Sequence, residues 1–173
     1  NLAAAYAQTG KKVLLIDGDL RKASLSAFYG GKNTRGLVHL LMNPQASPDS
    51  VLQSGKRFPG FDLVTAGPVP PNPVALLTRG RLEELLRYWR ARYDRIILDG
   101  CPYEAVADAS LMARHADLVL YVIRCGMIEK QYVPAIQGLA DKGEFRSGAI
   151  ILNAENFKNS RFHYYNEYSE TDG

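Results

Sequence analysis

Short apolar runs that end in an acid or amide recur along the chain. Residues 12–17, Lys-Val-Leu-Leu-Ile-Asp, have the pattern of a strand buried on both faces, with Asp17 at its C-terminal end. Residues 95–99 (Arg-Ile-Ile-Leu-Asp), 118–123 and 149–153 repeat the pattern, and 61–65 predicts one more strand. Between these runs the period changes from two to 3.6. Leu82, Leu85, Leu86, Trp89 and Tyr93 fall on one helical face at i, i+3, i+4, i+7 and i+11. Residues 105–114 and 129–142 also predict helices, with Pro134 kinking the second or marking its true start. Residues 1–9 predict a helix that stops at Gly10 and lacks a start signal. A short helix after Asn72 carries its own start, since Asn72 can cap it and Pro73 suits the first helical position. Strands alternating with helices indicate an α/β fold with a mostly parallel central sheet covered on both sides. Residues 1–155 form the expected domain, and 156–173, polar and aromatic without period, a mobile tail.

Composition narrows the possibilities. With 173 residues, 46% hydrophobic and 23% charged, the chain can bury one ordinary core. A net charge of +3, with acids and bases interleaved, leaves no broad nucleic-acid footprint, and no nucleic-acid partner is expected. The basic face of the 82–93 helix, with Arg81, Arg87, Arg90 and Arg92, reads as a solvated surface. Cys101 and Cys125 lack metal-ligand spacing, and a reducing, cytoplasmic setting suits them. Cys101 reads as a small buried filler rather than a reactive thiol. The sequence has no apolar stretch of 18 residues.

Chemistry concentrates at strand ends. In an open α/β sheet, ligands bind outside the carboxyl ends of the strands, which is where Asp17, Asp19 and Asp99 are expected to converge. Three such carboxylates need a compensating cation, and hard oxygen ligands beside nucleotide phosphates suit Mg²⁺. Asp17-Gly18-Asp19-Leu20-Arg21-Lys22 adds two cations to the same loop.

That segment resembles the Walker A′ motif of bacterial tyrosine autokinases of the polysaccharide-export type. Two further segments are similar to the same family: Ala66-Gly67-Pro68-Val69-Pro70-Pro71-Asn72-Pro73 followed by Leu76-Leu77, and the tyrosine cluster Tyr164-Tyr165-Asn166-Glu167-Tyr168. The resemblance implies a P-loop NTPase-like three-layer sandwich acting with ATP and Mg²⁺. It implies that Asp17 and Asp99 serve the Mg²⁺ shell, directly or through water, that Asp19 orients or deprotonates the attacking tyrosine hydroxyl, and that Arg21 belongs to the catalytic set. Asn153 matches a position that contacts adenine in related ATPases, although an Asn that merely terminates a strand fits there equally. Tyr164, Tyr165 and Tyr168 would be the phosphoacceptors, delivered to a neighbouring subunit in a ring. The implied partners are a transmembrane chain-length-determinant or activator domain, fused or separate, and a cognate tyrosine phosphatase. The implied location is the inner face of the cell membrane.

Three departures stand out. Gly100-Cys101-Pro102 replaces the family's usual Thr-Pro-Pro after the Walker B acid, and residue 23 is Ala where Pro is common. The third is the phosphate-binding loop, which needs glycines for close backbone approach, then Lys and Ser or Thr. In none of the pairs Gly10-Lys11, Gly31-Lys32 and Gly55-Lys56 is the lysine followed directly by Ser or Thr, and none follows a predicted strand; the loop is expected just upstream of Asn1, lost by truncation. Two other readings share the acids: a ParA or MinD-like ATPase switch, which predicts a basic or amphipathic C-terminal helix, and a non-catalytic regulator without the loop. Because loop amides and the loop Lys supply most phosphate contacts, residues 1–173 alone are expected to bind ATP weakly or not at all. Calorimetry checks this, and micromolar affinity with Mg²⁺ would put the phosphate site elsewhere.

Overall fold

In chain order the first part of the protein contains α1 (Leu2–Gln8), β1 (Val13–Asp17), α2 (Leu37–Met42), a 3-10 turn (Pro48–Val51), β2 (Gln53–Ser54), β3 (Phe61–Val64), α3 (Pro73–Leu77), α4 (Arg81–Arg90), β4 (Arg95–Asp99) and α5 (Val106–Ala113). β5 (Val119–Arg124) and β6 (Gly148–Asn153) follow. These come from a computed structural model that describes residues 1–23, 25–26, 34–55, 58–101, 106–126 and 147–154. The predicted helix 129–142 and the tail 156–173, with Tyr164, Tyr165 and Tyr168, lie outside the described residues. The chain divides into two compact units, Asn1–Ala116 and Asp117–Gly173.

In the first unit the sheet order is β2-β3-β1-β4. β1 pairs in parallel with β3 on one side and β4 on the other, and only the short β2 runs antiparallel, at the edge. Every β1 residue is buried, as its unbroken apolar run predicts. The strand divides its side chains between two faces. Leu14 and Ile16 enter a core with Leu37, Leu40, Leu82, Leu85 and Trp89, whereas Val13 and Leu15 pack with Ala3, Ala7, Phe61 and Leu63. This alternation makes the unit three-layered.

α4 shows why the apolar spacing was informative. Leu82, Leu85, Leu86 and Trp89 are each at most 4% exposed, and burial of side chains this size stabilises the unit by about 1.5–3 kcal/mol apiece. Tyr93 packs against the same core, as the stripe predicts, but from beyond the helix, which ends at Arg90; its hydroxyl donates to Asp62 (2.7 Å). Arg87, Arg90 and Arg92 are exposed as expected, whereas Arg81 is a correction: its side chain is only 16% exposed and its Nη2 donates to the Ala46 carbonyl (3.2 Å), which ties it to the neighbouring loop. Arg87 pairs with Glu83 (3.1 Å), Arg81 with Glu84 (2.7 Å), and Arg92 with Asp49 (2.7 Å). α3 starts as predicted, with Asn72 Oδ1 accepting from the Ala75 N–H (3.1 Å).

In the second unit β5 and β6 form a parallel pair in register from Val119↔Gly148 to Arg124↔Asn153. Both strands were expected from their apolar runs. α2, the 3-10 turn and β2 have no counterpart in the sequence reading.

α2 is fixed through its backbone. The N–H groups of Leu37 and Val38, which an α-helix leaves without internal partners, donate to the carbonyls of Thr65 and Ala66 (2.8 and 2.9 Å). Such proximity admits only glycine at position 36, because a Cβ there would overlap the Thr65 carbonyl oxygen and the backbone of Ala66 and Gly67. Gly36→Ala should therefore lower stability by about 2–3 kcal/mol, the upper range of overpacking costs. The midpoint of urea unfolding reads it, against a near-neutral Gly100→Ala, whose added Cβ meets nothing within 4 Å. An unchanged midpoint for Gly36→Ala would contradict the close-approach account.

Candidate active site

Two parallel strands bring the predicted acids together. The β1–β4 register pairs Asp17 with Asp99, so both carboxylates leave adjacent strand ends at the edge where an α/β sheet binds ligands. The Gly18 N–H extends this pairing by donating to the Asp99 carbonyl (2.8 Å). Asp19 follows on the turn beyond β1.

Asp17 and Asp19 build the loop that carries them. Asp17 is fully buried, and its two oxygens accept one each from the Asp19 and Leu25 N–H groups, both at 3.2 Å. Asp19 Oδ1 accepts from the N–H groups of Arg21 (3.1 Å) and Lys22 (3.0 Å), the use of a short acid as a turn former. Leu20, 2% exposed, anchors the turn in the core. The turn closes at Ala23, whose N–H donates to the Asp19 carbonyl (2.8 Å) at φ +50°. A proline ring cannot adopt that angle, so the departure from Pro at this position goes with a different backbone path.

The electrostatics leave this corner short of positive charge. Burial raises the Asp17 carboxyl above its ordinary range, hydrogen bonds from Leu25 and Asp19 oppose the rise, and the charges of Asp99 and Asp19 add to it. Asp99 is solvent-exposed, yet desolvation by the surrounding strand ends and then the charge of Asp19 raise it as well, against the Asn1 amino group. Two acids lifted by burial first, and then by neighbouring negative charge, suit a cation. Among the described residues no compact group of three or more His, Cys, Asp or Glu side chains forms a ligand cage. One or two carboxylates with the remaining positions open is the arrangement Mg²⁺ favours, since it keeps waters and takes phosphate oxygens.

Arg21 lies in the same loop and leads to a residue that the motif reading missed. Its Nε donates to Asp108 Oδ2 (2.7 Å) and its Nη2 to Asp108 Oδ1 (3.2 Å), a two-pronged grip on an acid that is only 2% exposed. Asp108 stands on α5 between Ala107 and Ala109, and an acid in so apolar a helical stretch is the one sequence signal that a partner must come from elsewhere. Cys101 is half-buried in this neighbourhood. Burial first, then the charges of Asp108 and Asp19, push its thiol up and keep it protonated, in keeping with a filler.

Asn153 ends β6 in the second unit, where its Oδ1 accepts from the Ala154 N–H (2.8 Å), a local turn contact. A shallow pocket of about 200 Å³ lies on the signature segment, lined by Met42, Pro70, Pro71, Leu76 and Arg79 among others, and includes none of the acids.

The comparisons with known proteins agree with this geometry. No protein-family model matches the chain. Tyrosine-protein kinase YwqD of Bacillus subtilis (strain 168) is 39% identical over 166 residues, covering 95% of this chain and 69% of that protein. The putative tyrosine-protein kinase CapB of Staphylococcus aureus is 34% identical over 166 residues, covering 95% and 72%. Tyrosine-protein kinase etk of Escherichia coli (strain K12) is 37% identical over 151 residues, covering 87% of this chain and 20% of that protein. The solved kinase domain of the Escherichia coli tyrosine kinase ETK superposes with a TM-score of 0.81 at 35% identity, over 88% of this chain and 59% of that one. The septum site-determining protein MinD of Pyrococcus horikoshii OT3, solved with Mg-ADP, follows at 0.68 and 22%, a likeness of fold alone. A mostly parallel α/β fold of the P-loop NTPase type, an Asp-x-Asp-x-Arg loop paired with a second strand-end acid, and 34–39% identity to named kinases across 95% of this chain converge on one assignment: the chain belongs to the bacterial tyrosine-protein kinases.

Proposed function

We propose that this chain is the catalytic part of an ATP-dependent protein-tyrosine autokinase that regulates synthesis and export of a capsule or exopolysaccharide. The observation that carries the reading is the in-register placement of Asp17 and Asp99 with Asp19 suspended from the same loop. Residues 1–155 would be the catalytic domain and 156–173 its substrate tail. Asp17 and Asp99 would hold Mg²⁺, which when bound neutralises phosphate charge and orients the transferable phosphoryl group. Asp17 has both oxygens on backbone amides, so it contributes from lone pairs that remain, whereas Asp99 faces solvent and is the more accessible ligand. Asp19 Oδ2 has no partner among the described residues, which suits a group that accepts or orients the acceptor hydroxyl proton. Arg21 supplies positive charge to the phosphates, and Asn153 is assigned to the adenine base by resemblance. Full-length etk is about five times longer than the matched stretch, consistent with a fused membrane-embedded activator in some relatives and a separate one in others. Placement at the inner face of the membrane, a ring of subunits and a cognate tyrosine phosphatase complete the reading. Among the described residues no helix is long and apolar enough to cross a membrane.

In the full-length protein, Asp19→Asn should lower autophosphorylation by about 10²-fold or more while changing ATP affinity little, the signature of a group that acts on the acceptor. Asp99→Asn should raise the Mg²⁺ concentration needed for half-maximal rate. It should not destabilise the fold. Folding raises the Asp99 pKa, so its ionised form is the disfavoured one: the penalty exists above the folded pKa and vanishes as pH falls through that value toward the ordinary carboxylate range. Removing the charge at pH 7 therefore keeps or raises Tm. Wild-type turnover in both variants would overturn the assignment.

The acceptors are Tyr164, Tyr165 and Tyr168, three tyrosines within five residues of a polar tail. Each phosphate brings nearly two negative charges, so a modified tail docked beside Asp17, Asp19 and Asp99 is repelled, and phosphorylation loosens the ring. Mass spectrometry after incubation with ATP should find phosphate on these residues. Replacing all three with Phe should give an oligomer that ATP no longer dissociates. Phosphate confined to other tyrosines would refute the tail assignment.

A further inference from the structure

Asp108 is a buried acid that belongs to none of the proposed metal or proton-transfer roles, and among the described residues both its side-chain oxygens accept from one residue, Arg21. We propose that Asp108 is a positioning residue: by gripping Arg21 through Nε and Nη2, it holds the guanidinium off Asp19 and aims the free Nη1 edge at the phosphate oxygens of the bound nucleotide. This inference rests on the kinase reading above.

The geometry supports it in three ways. First, Arg21 is only two residues from Asp19 and four from Asp17, and its side chain is half exposed, so an ungoverned guanidinium would fold back onto the nearest carboxylates. Pairing with Asp19 would neutralise the acid needed at the acceptor hydroxyl. The side-chain bonds of Arg21 go instead across 87 residues to α5, while only its main-chain N–H meets Asp19. Second, the grip is side-on. Nε and Nη2 are engaged, and Nη1 has no partner among the described residues, so one donor edge remains for an anion. Third, the grip is asymmetric in exposure: the acid side chain is 3% exposed and the arginine 51%. A pair serving stability alone gains little over an apolar replacement, whereas a buried anchor beneath an exposed cation fixes the cation where a ligand can reach it. The anchoring helix is packed against the loop through Met112, 4% exposed, whose sulfur would lie 2.6 Å from a Cβ at Gly18.

The test is a double-mutant cycle in the full-length kinase, with steady-state KM for ATP, kcat and Tm measured for each protein. Arg21→Ala is expected to raise the KM for ATP about 10- to 100-fold, the worth of a charge-assisted contact. Asp108→Asn keeps the volume and one acceptor but releases the clamp, and should raise KM about tenfold with Tm close to wild type. The double variant should be no worse than Arg21→Ala alone, because Asp108 acts only through Arg21. Arg21→Lys keeps the charge and cannot make the side-on grip, so it should resemble Asp108→Asn, and it stays informative if Asp108 variants fail to fold. If Arg21→Ala leaves KM and kcat unchanged, the phosphate role of Arg21 in the parent reading fails. If Arg21→Ala is impaired while Asp108→Asn or Arg21→Lys has wild-type KM, the positioning inference fails and the parent reading stands. Additive losses in the double variant, or a fall in Tm and active fraction at constant KM, would make Asp108 a structural residue and overturn the proposal.

Discussion

A strand sealed from water on both faces must find partners for every backbone group along both edges, and β1 satisfies that demand only by pairing with β3 and β4 at once. The pairing fixes more than the sheet. Once Val13 stands opposite Arg95, Asp17 has no choice but to stand opposite Asp99, four residues further along. Two like charges are thus set side by side by hydrogen bonds between main chains, and the cost of their proximity is carried by the burial of Leu14, Leu15 and Ile16. The site is acidic because the core requires that register.

The acids themselves divide their work between structure and chemistry. Asp17 is so occupied with the amides of Asp19 and Leu25 that its first task is to shape the loop, while Asp99 is left with solvent. Neighbouring positive charge is withheld rather than absent, since the guanidinium of Arg21, in the same loop as Asp17 and Asp19, is turned toward α5. A corner organised in this way keeps its electrostatic deficit for an incoming cation.

Much of this was legible in the chain because it is local or periodic. The 3.6-residue spacing of Leu82, Leu85, Leu86 and Trp89, the apolar runs before Asp17 and Asp99, and the Asn72-Pro73 start signal each encode their element within a few residues. At Tyr93 the stripe outlasts its helix: the ring still packs on the same core while the hydroxyl reaches Asp62. What stayed hidden depends on distant partners. α2 is a six-residue helix whose docking is made by the carbonyls of Thr65 and Ala66, some thirty residues on, and no pattern within 37–42 announces it. The Arg21–Asp108 pair is hidden for the same reason, since sequence spacing cannot show that two residues 87 positions apart share a corner.

Trp89 carries a practical consequence. It is the chain's single tryptophan, it is fully buried in the larger core cluster, and its indole Nε1 has no hydrogen-bond partner among the described residues. Its ring sits within the core that α4 closes, and its fluorescence is a built-in optical gauge of packing in the first unit. No label, and no added chromophore near the acids, is needed to follow that core.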